Sequence, residues 1–521
     1  MKPLNILIFI LFVFSGMLVL SFVFPKDGYK LTKDWTIYFP SVDEILEPAD
    51  KKYVDISDII AENQVPDTLE DEASGLETAY LKDSSVVYYK PLDIKPGEVT
   101  RKIEFPKRDK SVLYTFFKSL ANLPNSNRLI RVLHYGDSQI EADRMTSYIR
   151  RRLQSQFGGS GPGLIPAIQP YGFLSPAVCE YSGDWKRYAG FARRDSMVQH
   201  NRYGVLASFS RFSPLPIPLV ADTIVPDSLQ NTDTVAKERV EYTASLTIKH
   251  SPYAAANVNR YTRVRLFYGF NTKPFSLKLY RGEDLVSENM LNASESLQVK
   301  QWHFACTPAY LHLEFKGEDS PDIYAMALDG TRGVAVDNIP LRGSGGLIFT
   351  NSSNRLLASI YSQLNVKLII LQFGGNITPH VLENYDYYER LFYRQLSTLK
   401  RLIPDVSIVV IGLADMSKKE KDTYVSYPNI PIIRDALKKA SFKAGCAFWD
   451  MYEAMGGENS MPSWVFAEPP LAEKDFVHFT VRGARIVAKM FYQALMLEYN
   501  GYIKKQIKKQ KEDEGKVERD K

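Results

Sequence analysis

Three side chains in this chain are of the types that, brought together, split an ester. The serine closes Arg131-Val-Leu-His-Tyr-Gly136-Asp137-Ser138, an apolar run that stops at Gly-Asp-Ser, and the other two belong to Asp475-Phe-Val-His478. A serine hydroxyl is a weak nucleophile until a histidine takes its proton, and that histidine needs a carboxylate to fix its tautomer and stabilise the imidazolium. Asp475, three residues before His478, can do both from one loop. The run Leu129 to Tyr135 reads as a strand, and Met145, Ile149, Leu153 and Phe157 then recur every fourth residue as a helical stripe. Ser138 is therefore expected on a strand-to-helix turn, with N–H groups of the helix start aimed at an oxyanion. Asp137 is expected to point away from Ser138 and to serve as a structural residue of the turn.

Taken singly these motifs are ordinary, because Gly, Asp and Ser are common turn formers and Asp-x-x-His also starts helices. A third element joins them: Leu368-Ile-Ile-Leu-Gln-Phe-Gly374-Gly375-Asn376, another apolar strand, ends in glycines and an asparagine amide. Such an amide is the kind of donor an oxyanion hole uses.

The order of the three elements resembles the SGNH (GDSL-type) hydrolase superfamily. Within it the likeness is to peptidoglycan and polysaccharide O-acetylesterases. Phe448-Trp-Asp-Met-Tyr-Glu-Ala-Met455-Gly456-Gly457, Ser460-Met-Pro-Ser-Trp464 and Leu471-Ala-Glu-Lys-Asp475-Phe-Val-His478-Phe-Thr-Val-Arg-Gly483 are similar to their carboxyl-terminal block. Ile411-Gly-Leu-Ala-Asp415-Met416-Ser417 is similar to the strand end before it. The resemblance implies that Ser138 is the nucleophile, with His478 and Asp475 completing a triad. It also implies an oxyanion hole of the Ser138 N–H, the Asn376 amide and a glycine. That glycine falls on Gly343, in Val336-Asp-Asn-Ile-Pro-Leu-Arg-Gly343-Ser-Gly-Gly; the competing run Gly158-Gly-Ser-Gly161-Pro-Gly163 reads as the turn after the first helix. Ile377 stands where the family usually has an acidic residue after the asparagine, a supporting position rather than a chemical one. The likeness covers about residues 128–168 and 333–500.

The implied fold is α/β: a three-layer, flavodoxin-like parallel sheet, interrupted by an insert. Residues 111–170 and 336–502 are expected to form the hydrolase domain. Its second part alternates strands at 366–372, 406–412 and 446–450 with helices at 383–402, 430–444 and 481–499, which collects catalytic residues at the carboxyl ends of the strands. Between them, at 171–335, period-two runs such as Val240-Glu-Tyr-Thr-Ala-Ser-Leu-Thr-Ile and Phe275-Ser-Leu-Lys-Leu-Tyr read as an antiparallel β-sandwich. A similar insert, like a carbohydrate-binding module, occurs in some esterases of this type. Trp185, Tyr188, Trp302 and Tyr324 would be its sugar platform if they are exposed, and core if they are not. The sandwich is expected to form one wall of the Ser138 cleft.

At the N-terminus, Leu4 to Phe24 runs 21 residues without a charge after Lys2, long enough to span a bilayer. With no small-x-small cleavage site and no cysteine at a lipoprotein position, residues 1–25 read as an uncleaved anchor that places the catalytic part outside the cytoplasm. Residues 26–110, rich in Asp, Glu, Pro and Ser, read as a stem, and 503–521 as a charged tail. Hydrophobic residues make up 45% and charged residues 24%, enough apolar content for a large core. A net charge of +5, with no basic patch interleaved with aromatics in the folded part, excludes nucleic acid as a partner. Cys179, Cys306 and Cys446 show no metal spacing; Cys446 is expected in the core, and a Cys179–Cys306 bridge stays open. His200, His250, His303 and His312 lie at no ligand spacing, so no metal and no cofactor are expected. His134 is expected to pack below the site and His380 to lie in a loop.

Three functions follow. One is a serine esterase that removes O-acetyl groups from a cell-envelope polysaccharide, peptidoglycan foremost. A second uses the same triad for acetyl transfer to a sugar, with a membrane-bound O-acyltransferase as partner. A third is a non-catalytic glycan-binding protein. The substrate-contacting residues are not legible at this stage.

Overall fold

The computed structural model describes residues 3–25, 28–31, 35–37, 39, 53–65, 78–80, 87–89, 93–169, 176–215 and 240–517. Contacts divide the chain into residues 1–54 with 419–423, and all the rest. In the smaller unit Pro3–Val23 forms one apolar helix, α1, exposed along nearly its whole length, and Tyr29–Lys30 pairs antiparallel with Thr36–Ile37.

A parallel sheet lies at the centre of the larger unit. Its strands are β1 (Leu129–Gly136), β2 (Gly333–Pro340), β3 (Val366–Gln372), β4 (Ser407–Ile411) and β5 (Ala447–Trp449). They lie in the order β2-β1-β3-β4-β5, the arrangement of flavodoxin-like doubly wound sheets. Every residue of β1 is buried, as a strand covered on both faces requires. The longer helices around it include α2 (Thr146–Phe157), α3 (Asn354–Leu364), α4 (Asp386–Leu402), α5 (Ile430–Lys443) and α6 (Val481–Val517). One face of the sheet, with Leu133, Tyr135, Ile369, Leu371 and Val410, shares a core with α3, α4 and α5. On the other, Trp449 packs against Phe491 of α6, and Phe157 of α2 against Tyr499 of α6, at ring distances of 5.5 and 5.2 Å.

Two expected boundaries move. The stem does not run to residue 110, because Glu104 already bridges Phe448 at the β5 edge and the Arg101 carbonyl takes the Trp449 indole N–H at 3.0 Å. Much of the rest of the expected stem lies outside the described residues. The charged tail does not begin a separate segment at residue 503, since α6 continues to Val517.

The insert is built as two antiparallel sheets. One runs, edge to edge, through Asp284–Leu291, Phe275–Arg281, Tyr310–Gly317, Tyr242–His250 and Ala177–Gly183. The second runs through Ser294–His303, Arg263–Asn271, Asp322–Asp329, Ser208–Arg211 and Lys186–Ala189, with Gly163–Ile165 paired to Asp322–Asp329. Alternation divides the labour of this second sheet. Leu266, Met326 and Leu328 face the first sheet, and Phe267, Ala325 and Ala327 join the core of the α/β fold. The insert is therefore fused to the α/β fold by continuous apolar packing rather than tethered to it. Tyr188, Trp302 and Tyr324 are buried in the core and form no sugar platform, and Trp185, half-buried, rests edge-on against Phe212 and Phe315. Cys179, Cys306 and Cys446 are all free thiols.

The glycine run is the hinge of this arrangement. Gly163 has φ 84°, and a Cβ there would stand 2.2 Å from Asp337 Oδ1 of β2, so the chain leaves the α/β fold pressed against the strand by which it returns. Beside it Arg131 of β1, wholly buried, pairs with Asp337 at 2.6 Å and with Asp329, the last residue of the Asp322–Asp329 strand; Arg265 reaches Asp329 at 3.3 Å.

Candidate active site

β1 ends at Gly136, and Asp137 caps a short 3₁₀ turn over Ser138–Asp143, its Oδ1 accepting from the Gln139 N–H at 3.0 Å. Ala142 and Asp143 then take left-handed φ of 57° and 59°, and α2 starts only at Thr146. Ser138 thus lies in the strand-to-helix connection as expected, opening a 3₁₀ turn of its own rather than the first turn of α2. Its N–H, the first of that turn, has no acceptor within it.

Ser138 Oγ stands 2.8 Å from His478 Nε2, and His478 Nδ1 stands 2.7 Å from Asp475 Oδ2. Asp475 Oδ1 also accepts from the N–H groups of Val477 and His478, at 2.9 and 3.0 Å. Burial works to raise the Asp475 carboxyl, but the hydrogen bonds from His478 and from these two backbone groups outweigh it and hold it at about 2. Asp475 is an anion at neutral pH, the state that keeps Nδ1 protonated and leaves Nε2 to accept from the serine. Thr480 Oγ1 accepts from the Gly483 N–H at 3.2 Å and caps α6, so the histidine loop is anchored by a helix start.

Asn376 lies in the 3₁₀ turn Gly375–Ile377 that follows β3, and its Nδ2 donates to the Ser344 carbonyl at 3.2 Å. A cavity of about 240 Å³ gathers Asp137, Ser138, Gly375, Asn376 and His478, with Phe373, Pro379, Leu413, Ala414 and Met416 as its apolar wall. The carboxyl ends of β1, β3 and β4 thus converge on one small chamber. Gly343 stands apart from it, exposed in a left-handed turn at φ 77°. Among the described residues, none that lines the cavity comes from the insert, in contrast to the expected wall; the second sheet shares its core instead with α3 and the β1–β2 side of the fold.

Asp137 caps the turn as expected, yet it also faces the cavity, and burial pushes its carboxyl up to about 6. His134 is wholly buried below the site, 2.9 Å from Thr146 Oγ1, and burial lowers it to about 4. His380 lies exposed outside the cavity lining. Asp415, in the strand end singled out by its motif, is buried and accepts from Ser426 Oγ at 2.6 Å and the Met461 N–H at 2.8 Å. Two contributors escaped the sequence reading. Gly375 precedes the asparagine on the cavity wall, and the Gln139 side chain bonds to the histidine loop. The adjacency of Gln139 to the serine was the available signal.

No family model and no curated protein matches the sequence. Among solved structures, a peptidoglycan O-acetylesterase is similar at 18% identity and a TM-score of 0.57, over 77% of this chain and 99% of that one. A family two carbohydrate esterase from Cellvibrio japonicus covers 40% of this chain and 78% of its own at 11% identity and TM-score 0.15. A GDSL-like lipase from Parabacteroides merdae covers 32% and 73% at 16% and TM-score 0.22. Scores as low as the last two carry no weight. The first shows that the chain shares the fold of that protein, here a parallel α/β sheet with an extra β domain. That agrees with the SGNH (GDSL-type) resemblance carried by the motifs.

Proposed function

We propose that the protein is a serine esterase of the SGNH type that removes O-acetyl groups from an extracytoplasmic polysaccharide, with peptidoglycan as the first candidate. The observation that carries this reading is the unbroken chain Ser138 Oγ–His478 Nε2 and Nδ1–Asp475 Oδ2, at 2.8 and 2.7 Å, opening into one cavity. His478 Nε2 takes the serine proton while Oγ bonds to the acetyl carbonyl carbon. The resulting oxyanion is held by the Ser138 N–H and the Asn376 amide, and Gly343, outside the cavity, is not required. The sugar oxygen leaves with the proton from His478, and a water deprotonated by the same nitrogen releases acetate from Ser138. The chamber suits a small acyl group with the sugar outside it. The apolar helix α1 supports a membrane-anchored protein whose catalytic part lies outside the cytoplasm.

Ser138→Ala in the full-length protein should lose at least about a thousandfold in turnover of p-nitrophenyl acetate with the fold intact. Retained hydrolysis would sink the assignment. α1 also favours a second reading, in which a sugar hydroxyl rather than water discharges the acetyl-serine and a membrane-bound O-acyltransferase is the partner. A chitooligosaccharide added to the wild-type enzyme separates the two: acetylated sugar formed at the expense of acetate means transfer.

A further inference from the structure

The loop that carries the histidine is an irregular segment, with Phe476 at φ 58°, a conformation costly for a residue with a side chain. Such a loop keeps one shape only if its backbone groups are tied down. The Phe476 carbonyl takes the Ser417 N–H at 3.1 Å, and the His478 carbonyl takes the Glu473 N–H at 2.7 Å. The Phe479 carbonyl takes Arg144 Nη1 at 3.2 Å, while Asp475 Oδ1 takes the N–H groups of Val477 and His478. The two backbone groups that flank the base are the carbonyl before His478 and the N–H after it. Both go to one side chain: Gln139 Nε2 donates to the Val477 carbonyl, and Gln139 Oε1 accepts from the Phe479 N–H at 3.4 Å.

Gln139 is buried and directly follows Ser138 in the chain. Its backbone N–H is fixed by the Asp137 carboxylate at 3.0 Å, so its stem moves with the nucleophile turn while its amide grips the loop on either side of the base. The amide turns one N–H and its carbonyl oxygen to the loop, matched in order to a carbonyl and an N–H two residues apart. We infer that Gln139 is a positioning residue for the proposed esterase reaction, setting the separation of Ser138 Oγ and His478 Nε2. Though Gln139 also borders the cavity, its amide bonds go to the backbone on either side of the base, so it acts through His478. This inference rests on the serine-esterase reading, which names the two groups whose distance matters.

The effect belongs in turnover, because a base displaced by about 1 Å can cost on the order of 10²-fold while a small substrate still enters the cavity. Gln139→Met keeps the length of the side chain and loses both hydrogen bonds. In the full-length protein it should lower kcat for p-nitrophenyl acetate by about 10- to 100-fold with KM within about threefold. Amide hydrogen exchange in the peptide spanning Val477–Phe479 should become faster, with exchange elsewhere unchanged. A wild-type kcat, or unchanged exchange at Val477–Phe479, overturns the clamp. Ser138→Ala is run beside it. If that variant is inactive and Gln139→Met is fully active, the clamp alone falls. If Ser138→Ala is active, the nucleophile falls, and hydrogen exchange still decides whether Gln139 holds the loop.

Discussion

At the scale of single residues the site divides into groups that touch the reacting atoms and groups that hold them. Asn376 belongs to the first in our reading, and Asn376→Ala should lose about 10²- to 10³-fold in kcat with a smaller change in KM, as expected of a lost oxyanion donor. A full-rate variant would assign the donor elsewhere. Asp137 shows a different behaviour. Burial raises its carboxyl to about 6 from the ordinary 3.8, so between those values the folded state holds a proton that the unfolded chain has released. Stability from this group is therefore present at low pH and lost as pH rises through about 4 to 6. Asp475, held at about 2, works in the opposite sense, stabilising above about 4 and losing that contribution as pH falls toward 2. Asp137→Asn keeps the cap acceptor and removes the titration, so its melting temperature relative to wild type should climb as pH is raised from 4 to 6. A difference that stays flat with pH would refute the buried charge. The members of the Ser138–His478–Asp475 hydrogen-bond chain could be named from the sequence because the proposed chemistry constrains residue types. Gln139 could not, because its role depends on which backbone groups of a distant loop it reaches, and only the folded chain reveals that.

At the scale of elements, hydrophobic patterning located β1, β3 and most helices within a few residues. It missed β2 and α3. β2 reads Gly-Val-Ala-Val-Asp-Asn-Ile-Pro, and its Asp337 and Asn338 argue against a strand covered on both sides. They are accommodated by partners far away in sequence: Arg131 for Asp337, and for Asn338 the Ile140 carbonyl at 3.0 Å and Thr146 Oγ1 at 2.7 Å. Its missing label is also why Gly343, just beyond it, was set in the oxyanion hole by motif alone. The junction of α6 with the histidine loop gives the test at this scale. A Cβ on Gly483 would stand 1.9 Å from the Leu471 carbonyl oxygen, itself the acceptor for the Thr480 N–H at 3.0 Å. Gly483→Ala must push the first turn of α6 off that backbone, an overpacking worth about 1–3 kcal/mol. It should melt several degrees below wild type and lose activity at temperatures where wild type is still folded; an unchanged melting curve would mean that the close approach is absent in solution.

Taken whole, the molecule is less modular than its sequence reads. Period-two alternation identified the insert correctly as antiparallel sheets. It could not reveal that Arg263–Asn271 and Asp322–Asp329, at the centre of the second sheet, are covered on both faces, because the residues covering their far side belong to the α/β fold. Arg131 is where the two parts share charge. Arg131→Ala would leave the Asp337 carboxylate buried without its cation and weaken the hold on Asp329, a loss of about 3–5 kcal/mol. Because the core is continuous, urea should then unfold sandwich and catalytic fold in one transition shifted to lower concentration, with tryptophan fluorescence and esterase activity lost together. A sandwich that outlasts the activity would separate the two.

The strand order has one more consequence, for the chain as it is made. β1 lies between β2 and β3, and both of those partners follow the insert in the sequence. A chain emerging from the ribosome therefore presents β1 before either partner, with neither hydrogen-bonding edge covered, and must complete the whole insert before a neighbour exists. An unpaired apolar strand is a template for aggregation. The second sheet, with Gly163–Ile165 already paired to Asp322–Asp329 and β2 following directly, delivers the first partner to β1 at the moment its own fold closes. Assembly of the insert is in this sense the step that licenses the catalytic sheet, and defects in sandwich packing should be read in the yield of soluble enzyme before they are read in its rate.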